Sequence, residues 1–221
     1  LSGPLAAVGT AYRRALELKL DQINRSGVLG NRKLRIEPVD NSSDPSLSQT
    51  NIASFVERSD VAAIITGACG ECVIASSKLL NERRMPTVAL APASGVASPV
   101  AERPYIFKLG PNANDSAAAL AREVKRTEPK AAALVVTDDA YGQDGRSALQ
   151  SELSGIKLTT SVVRLADTDL TQAIQRALDA DPDALILWLF PHLAATAAVS
   201  ARNAGFEGKI YLDMGAAGDL F

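Results

Sequence analysis

The apolar positions of this chain fall into short continuous runs separated by stretches of helical spacing, and that alternation sets out its elements. Val61–Thr66 and Thr87–Leu90 are unbroken apolar runs, the form strands take when a sheet is covered on both faces. Between them, Cys72–Arg84 is long enough to cross back over the sheet and set the two strands parallel. Upstream, a helix from about Thr10 to Arg25 places Tyr12, Leu16, Leu20 and Ile23 on one face, with Leu5–Val8 leading in and Gly27 beyond its end. Lys33–Val39 alternates at Leu34, Ile36 and Val39 and predicts a strand, and Asn41–Pro45 is a turn that opens a helix carrying Ile52, Phe55 and Val56 inward.

Downstream the same rhythm recurs. Strands are expected at Tyr105–Leu109, Ala131–Val136, Leu158–Leu165, Ala184–Leu189 and Ile210–Leu212. Helices are expected from about Asp115, through Ser147–Leu153, and over Asp169–Leu178 and Leu193–Ala204, with Asp138–Gly145 as a loop. Gly110-Pro111-Asn112 breaks the pattern and divides the chain into domains 1–110 and 111–221. Strand–helix alternation throughout implies an α/β fold of parallel sheets with right-handed crossovers.

The loops after successive strands then emerge at one sheet edge, where ligands of open α/β sheets bind. They are Gly67–Cys72, Ala91–Val96, Asp138–Gly145, Phe190–His192 and Asp213–Ala216. Several run straight into helices, so backbone N–H groups and helix dipoles face whatever sits there. Ser94 adds a hydroxyl donor, and Ala93 and Gly95 allow close approach to the backbone. The bland alternative is a set of tight turns with no ligand.

Composition narrows the chemistry. With 47% hydrophobic and 22% charged residues, 221 residues suffice for one or two cored domains. A net charge of −2 and 5% aromatics, without basic–aromatic alternation, speak against nucleic acid as a partner. No apolar run approaches a membrane span, and no basic-then-apolar signal segment opens the chain. There is no G-x-G-x-x-G and no Walker A motif, so no cofactor is expected. Cys69-Gly-Glu-Cys72 is compatible with a redox pair, a short disulfide or two thiols, and without a second Cys/His cluster it does not suggest a metal site. His192, the single histidine, has no catalytic companions in sequence, and Ser94 lies in A-P-A-S-G, not a G-x-S-x-G elbow. Asp138, Asp139 and Asp144 could face a cation, but caps and solvated turns account for them more simply.

Several stretches, in order along the chain, resemble the type I periplasmic solute-binding proteins of the branched-chain amino-acid uptake family. Ser2–Gly9 is similar to that family's loop after its first strand, and Asp21-Gln-Ile-Asn24 with Gly27–Leu34 to its D-x-I-N…G-G-I-x-G-x-K-L segment. Asp40–Pro45 resembles its D-D-x-x-D-P turn, Pro86–Gly95 its V-P-x-I-S-P-x-A-T, Asp139–Gly145 its D-x-x-Y-G-x-G, and Ala201–Gly205 its A-R-x-x-G. The resemblance implies two doubly wound parallel-sheet lobes with a ligand cleft between them. It also implies a small-molecule ligand (an amino acid, an aromatic or aliphatic carboxylate, or an amide), delivery to the membrane permease of an ABC importer, and a periplasmic or lipid-anchored extracellular location. Carried over by position, Ala93, Ser94 and Gly95 hold the ligand carboxylate, and Cys69, Gly70, Glu71 and Cys72 occupy the place of a serine pair. Val8 lines the first lobe, and Tyr141 and Phe190 wall the second.

Two departures bear on the ligand. Where the family's amino-acid binders place an acid for the ligand ammonium, this chain reads Asp213-Met-Gly-Ala-Ala217, leaving Asp213 as the nearest acidic candidate. The serine pair is replaced by Cys-Gly-Glu-Cys, where Glu71 suits the first turn of a helix better than a carboxylate-binding pocket. Against the family the chain is expected to lack a strand before Leu1 and a C-terminal return after Phe221. The rival readings are a ligand sensor of the same fold and a thiol oxidoreductase using Cys69 and Cys72.

Overall fold

The computed structural model describes residues 1–217, and they divide into two units. One comprises Leu1–Ala91 and Pro99–Lys108, the other Pro92–Ser98 and, among the described residues, 109–217, so the segment around Ser94 belongs with the second unit.

In the first unit, Ile64–Thr66 (β1), Thr87–Ala89 (β2) and Ile106–Lys108 (β3) form a parallel sheet in that order. The helix Gly70–Glu82 (α3) makes the crossover from β1 to β2, burying Val73, Ser76, Ser77 and Leu80. Two helices precede the sheet, Ala6–Arg25 (α1) and Pro45–Val56 (α2). Asp44 caps α2 by accepting from the Leu47 N–H at 2.7 Å, with Pro45 at the first helical position, as the Asn41–Pro45 turn predicts. The α1 helix starts at Ala6, four residues earlier than the spacing suggests, because Ala6 and Ala7 extend it and the Gly3 carbonyl accepts from the Ala6 N–H.

The strand expected over Lys33–Val39 is not formed. The segment pairs with no strand among the described residues, and Leu34 and Val39 are exposed. Alternation describes a side-chain pattern, but a strand also needs a neighbour for its N–H and C=O groups. Ile65, Val88 and Phe107 stand in register across the three strands and are likewise exposed.

In the second unit, Ala131–Thr137 (β4), Lys157–Val163 (β5), Ala184–Trp188 (β6) and Lys209–Leu212 (β7) form a parallel sheet in the order β5-β4-β6-β7. β4 and β6 take the middle because they are apolar on both faces, every residue of β6 being buried. Ala113–Lys125 (α4), Ala140–Glu152 (α5), Thr171–Leu178 (α6) and Pro191–Asn203 (α7) supply the layers. One core gathers Ala133, Val135, Leu185 and Leu187 of the sheet with Leu170, Ile174, Leu193 and Ala197 from the region of α6 and α7. Each fully buried Leu or Ile there contributes roughly 1.5–3 kcal/mol by leaving water. The other face carries Leu134, Val136, Ile186 and Trp188, all but inaccessible. Gly145 of α5 lies so close to the Trp188 indole that a Cβ would collide with it.

β5 lies on one side of β4 and β6 on the other, so the chain reverses its direction of travel across the sheet between them. The loops after β4 and β6 therefore part at this point, the place where open α/β sheets bind their ligands.

Candidate ligand site

Tyr141 and Phe190 meet at that reversal. Tyr141 lies in the first turn of α5, after β4, and Phe190 is the residue before α7, after β6. The segment Tyr141–Gly145 is thus helical, where the sequence suggests loop, because the Asp139 carboxylate caps the helix early. Asp139 Oδ1 accepts from the Gly142 N–H at 3.0 Å and from the Thr137 hydroxyl at 2.5 Å. The Tyr141 and Phe190 rings are tilted, with centroids 5.0 Å apart. Trp188 stacks beneath at 5.5 Å from Tyr141, and its Nε1–H donates to the Tyr141 carbonyl at 3.1 Å. Three large rings, each no more than 3% exposed, form a stiff apolar wall that is itself buried, and the two contacts of Tyr141 each add about 0.5–1.5 kcal/mol beyond burial.

The wall is anchored from β7. Asp213, 5% exposed, accepts from the Tyr141 hydroxyl, from the Gly215 N–H at 2.8 Å and from the Leu189 N–H at 3.3 Å. Burial pushes its carboxyl up to about 7, against the two N–H groups, which hold it down. Gly215 sits where a Cβ would strike the Tyr141 hydroxyl, so the bond to Asp213 requires the glycine. Asp213 thus stands at the carboxyl edge where the sequence puts it, but its oxygens are turned to the chain's own donors.

Ala93, Ser94 and Gly95 also lie in this unit, in and before a single 3-10 turn, Ser94–Val96, that packs on α5. The Ser94 N–H, the donor expected to meet an anion, donates to Asp144 Oδ2 at 2.6 Å. Asp144 and Trp188 are participants that the sequence reading does not assign to the site. Trp188 is visible as the only tryptophan, two residues before Phe190, whereas the tie between residues 94 and 144 leaves no local pattern. Asp138 accepts from the Leu165 N–H at 3.2 Å, so all three aspartates of the 138–144 stretch bind backbone donors.

The remaining expected residues are in the first unit. Cys69 and Cys72 form a disulfide at the start of α3, and Cys69 Sγ accepts from the Cys72 N–H at 3.2 Å. Of the three possibilities for the pair, the structure shows the disulfide. Gly70 is buried, and Glu71 lies in the first turn of α3, where its charge complements the helix dipole. The Cys69 sulfur lies 3.8 Å from the Ser43 carbonyl, and the Ser43 hydroxyl accepts from the Leu5 N–H at 3.3 Å. Val8 is buried on α1, one turn beyond Leu5. His192 falls in the first turn of α7 and is half-buried, which holds its imidazole below the ordinary value while the Leu165 carbonyl opposes the shift. No group of three His, Cys, Asp or Glu among the described residues could hold a metal ion.

The sequence pattern of the periplasmic binding protein family matches residues 1–220. Among curated proteins, the chemotactic signal transduction system substrate-binding protein BasB of Halobacterium salinarum is 27% identical over 198 residues, 84% of this chain and 47% of that protein. A leucine-binding protein from Thermotoga maritima has a TM-score of 0.86 at 19% identity, covering 97% of this chain and 61% of the other. An ABC-transporter solute-binding protein from R. palustris, solved with 4-hydroxybenzoate, has a TM-score of 0.86 at 20% identity, covering 98% of this chain and 60% of the other. The chain spans about half the length of the curated relative and about three fifths of these structures.

Proposed function

Because the chain belongs to the periplasmic binding protein family, we propose that it serves as the solute-binding component of an ABC importer and performs no catalysis. The loops at the carboxyl edges of the parallel sheets take one small solute, and hinge closure selects the liganded state. The loaded protein then delivers the solute to a membrane permease. The observation that carries this reading is the wall of Tyr141, Phe190 and Trp188 at the carboxyl ends of β4 and β6, where the strand order reverses. A periplasmic or lipid-anchored extracellular location goes with this role. No helix among the described residues is long and apolar enough to cross a membrane.

The fold leaves the ligand open, since two equally similar structures belong to a leucine-binding protein and to a protein holding 4-hydroxybenzoate. The candidate solutes are amino acids, aromatic and aliphatic carboxylates and amides. A second reading is a sensor of the same fold, favoured by the likeness to a chemotaxis substrate-binding protein. Ligand-dependent control of a signalling partner without uptake would select it.

A thermal-shift screen of the purified chain against these classes tests the reading, because a ligand of the folded state raises Tm by mass action. A shift of several degrees confined to one chemical series supports solute binding. A folded sample with no shift across the panel, but with reduction of insulin disulfides, would overturn it in favour of a thiol oxidoreductase.

A further inference from the structure

We propose that the outer edge of β5 docks an extended segment of a partner protein that carries a carboxylate side chain. The inference stands apart from the solute-binding reading, and its test leaves that reading untouched.

β5 ends the sheet order β5-β4-β6-β7, so one side of it pairs with β4 and the other has no strand beside it among the described residues. Its seven residues pair with β4 in unbroken register, without a bulge or a proline. At the two ends of this pairing the Lys157 N–H donates to the Lys130 carbonyl, and the Val163 carbonyl accepts from the Asp138 N–H. In a parallel pair, residues that bond toward the neighbour alternate with residues that bond away from it. Lys157, Thr159, Ser161 and Val163 therefore bond toward β4, and the N–H and C=O groups of Leu158, Thr160 and Val162 point outward. Such a row is a template for one more strand.

The lining of the edge selects what that strand carries. An open hollow of about 380 Å³ runs along it, lined by Thr159, Thr160, Ser161, Val162 and Arg176 of α6. Val163 belongs to the core under α6, so alternation puts Thr159 and Ser161 on the same face as Arg176. Arg176 is exposed and makes no ion pair among the described residues, and the same holds for Lys157 at the start of the strand. A guanidinium beside hydroxyl donors suits a carboxylate, which it binds through two parallel N–H bonds. On the opposite face, Thr160 Oγ1 is buried without a hydrogen-bond partner, and a polar side chain directly across from it on an added strand would supply one. A second copy of this chain fits the edge poorly. Antiparallel pairing of two β5 strands would gather two Arg176 and two Lys157 along one seam, and no residue lining the hollow is acidic. The charge thus favours an acidic partner segment.

The test titrates the folded chain with a labelled, capped peptide of strand length that alternates valine with glutamate, followed by fluorescence anisotropy. Its comparators carry lysine in place of glutamate, or N-methylated backbone amides. The expected result is a Kd at least about tenfold lower for the glutamate peptide than for either comparator. Hydrogen exchange should slow at Leu158, Thr160 and Val162 when it binds, and Arg176→Glu, a change at an exposed position, should reverse the order of the glutamate and lysine peptides. Equal affinity for those two peptides, undiminished binding of the N-methylated one, or protection confined to other segments overturns the proposal. So does the absence of binding by any peptide. Self-association of the chain that protects the same three amides would assign the edge to a second copy and overturn it as well.

Discussion

Asp213 ties stability to pH through one residue. Its native carboxyl titrates at about 7, raised by burial from the ordinary value of 3.8, and the titratable group facing it is the Tyr141 hydroxyl. Between those values the folded chain holds a proton that the unfolded chain has released. The contribution is therefore fully present below about 4 and is lost as pH rises through about 7. Glu37, Asp60, Asp167, Asp169 and Asp183 are all shifted downward, so the stability they add is lost only at more acid pH. We expect Tm to fall between pH 5 and 7.5, and Asp213→Asn to flatten that decline, as followed by calorimetry; an unchanged slope in the variant would show that another group titrates. Asp144 offers a second test at the same scale. Removing its charge in Asp144→Asn should tighten binding of a carboxylate roughly threefold to tenfold while leaving the matching amide unchanged. Equal effects on acid and amide would mean that Asp144 does not oppose the ligand anion.

At the scale of elements, the approach of α5 to β6 depends on Gly145, which lets the helix rest on the Trp188 indole. Gly145→Ala overpacks this contact and should cost about 1–3 kcal/mol, lowering Tm by several degrees and altering the Trp188 emission. A variant as stable as the parent would show that the wall yields readily. The Cys69–Cys72 disulfide closes a very short loop at the start of α3, so the chain-entropy gain is about 2 kcal/mol. Reduction should speed hydrogen exchange at Cys72 and Val73 and leave β4 to β7 unchanged.

These elements also show what the sequence made legible. β4, β6 and their helices follow from runs that are apolar on both faces, a pattern that only a covered parallel sheet satisfies. Lys33–Val39 misleads because alternation records which side chains would face a core and says nothing of whether a strand lies alongside. The loops that carry Tyr141 and Phe190 were readable because they follow apolar strands, and the resemblance pointed to these two rings, which the structure brings within 5.0 Å of each other. The engagement of Asp213 and of the Ser94 N–H was not, since both depend on residues dozens of positions away, Tyr141 and Asp144.

For the molecule as a whole, the strand order marks the carboxyl edge at which Tyr141, Phe190 and Asp213 stand. Each unit has its own parallel sheet, and the wall lies where one sheet reverses its strand order. The central claim is that the carboxyl edge at this wall belongs to a site for one small solute. The most direct measurement is an isothermal titration of the folded chain with the best solute from the screen, repeated at several temperatures and with Tyr141→Ala. The account predicts saturable one-to-one binding with a negative heat-capacity change, as apolar burial requires, and a loss of at least about tenfold in affinity in a Tyr141→Ala variant that still melts cooperatively. Binding that is undiminished in that variant, or that lacks a heat-capacity change, would contradict it.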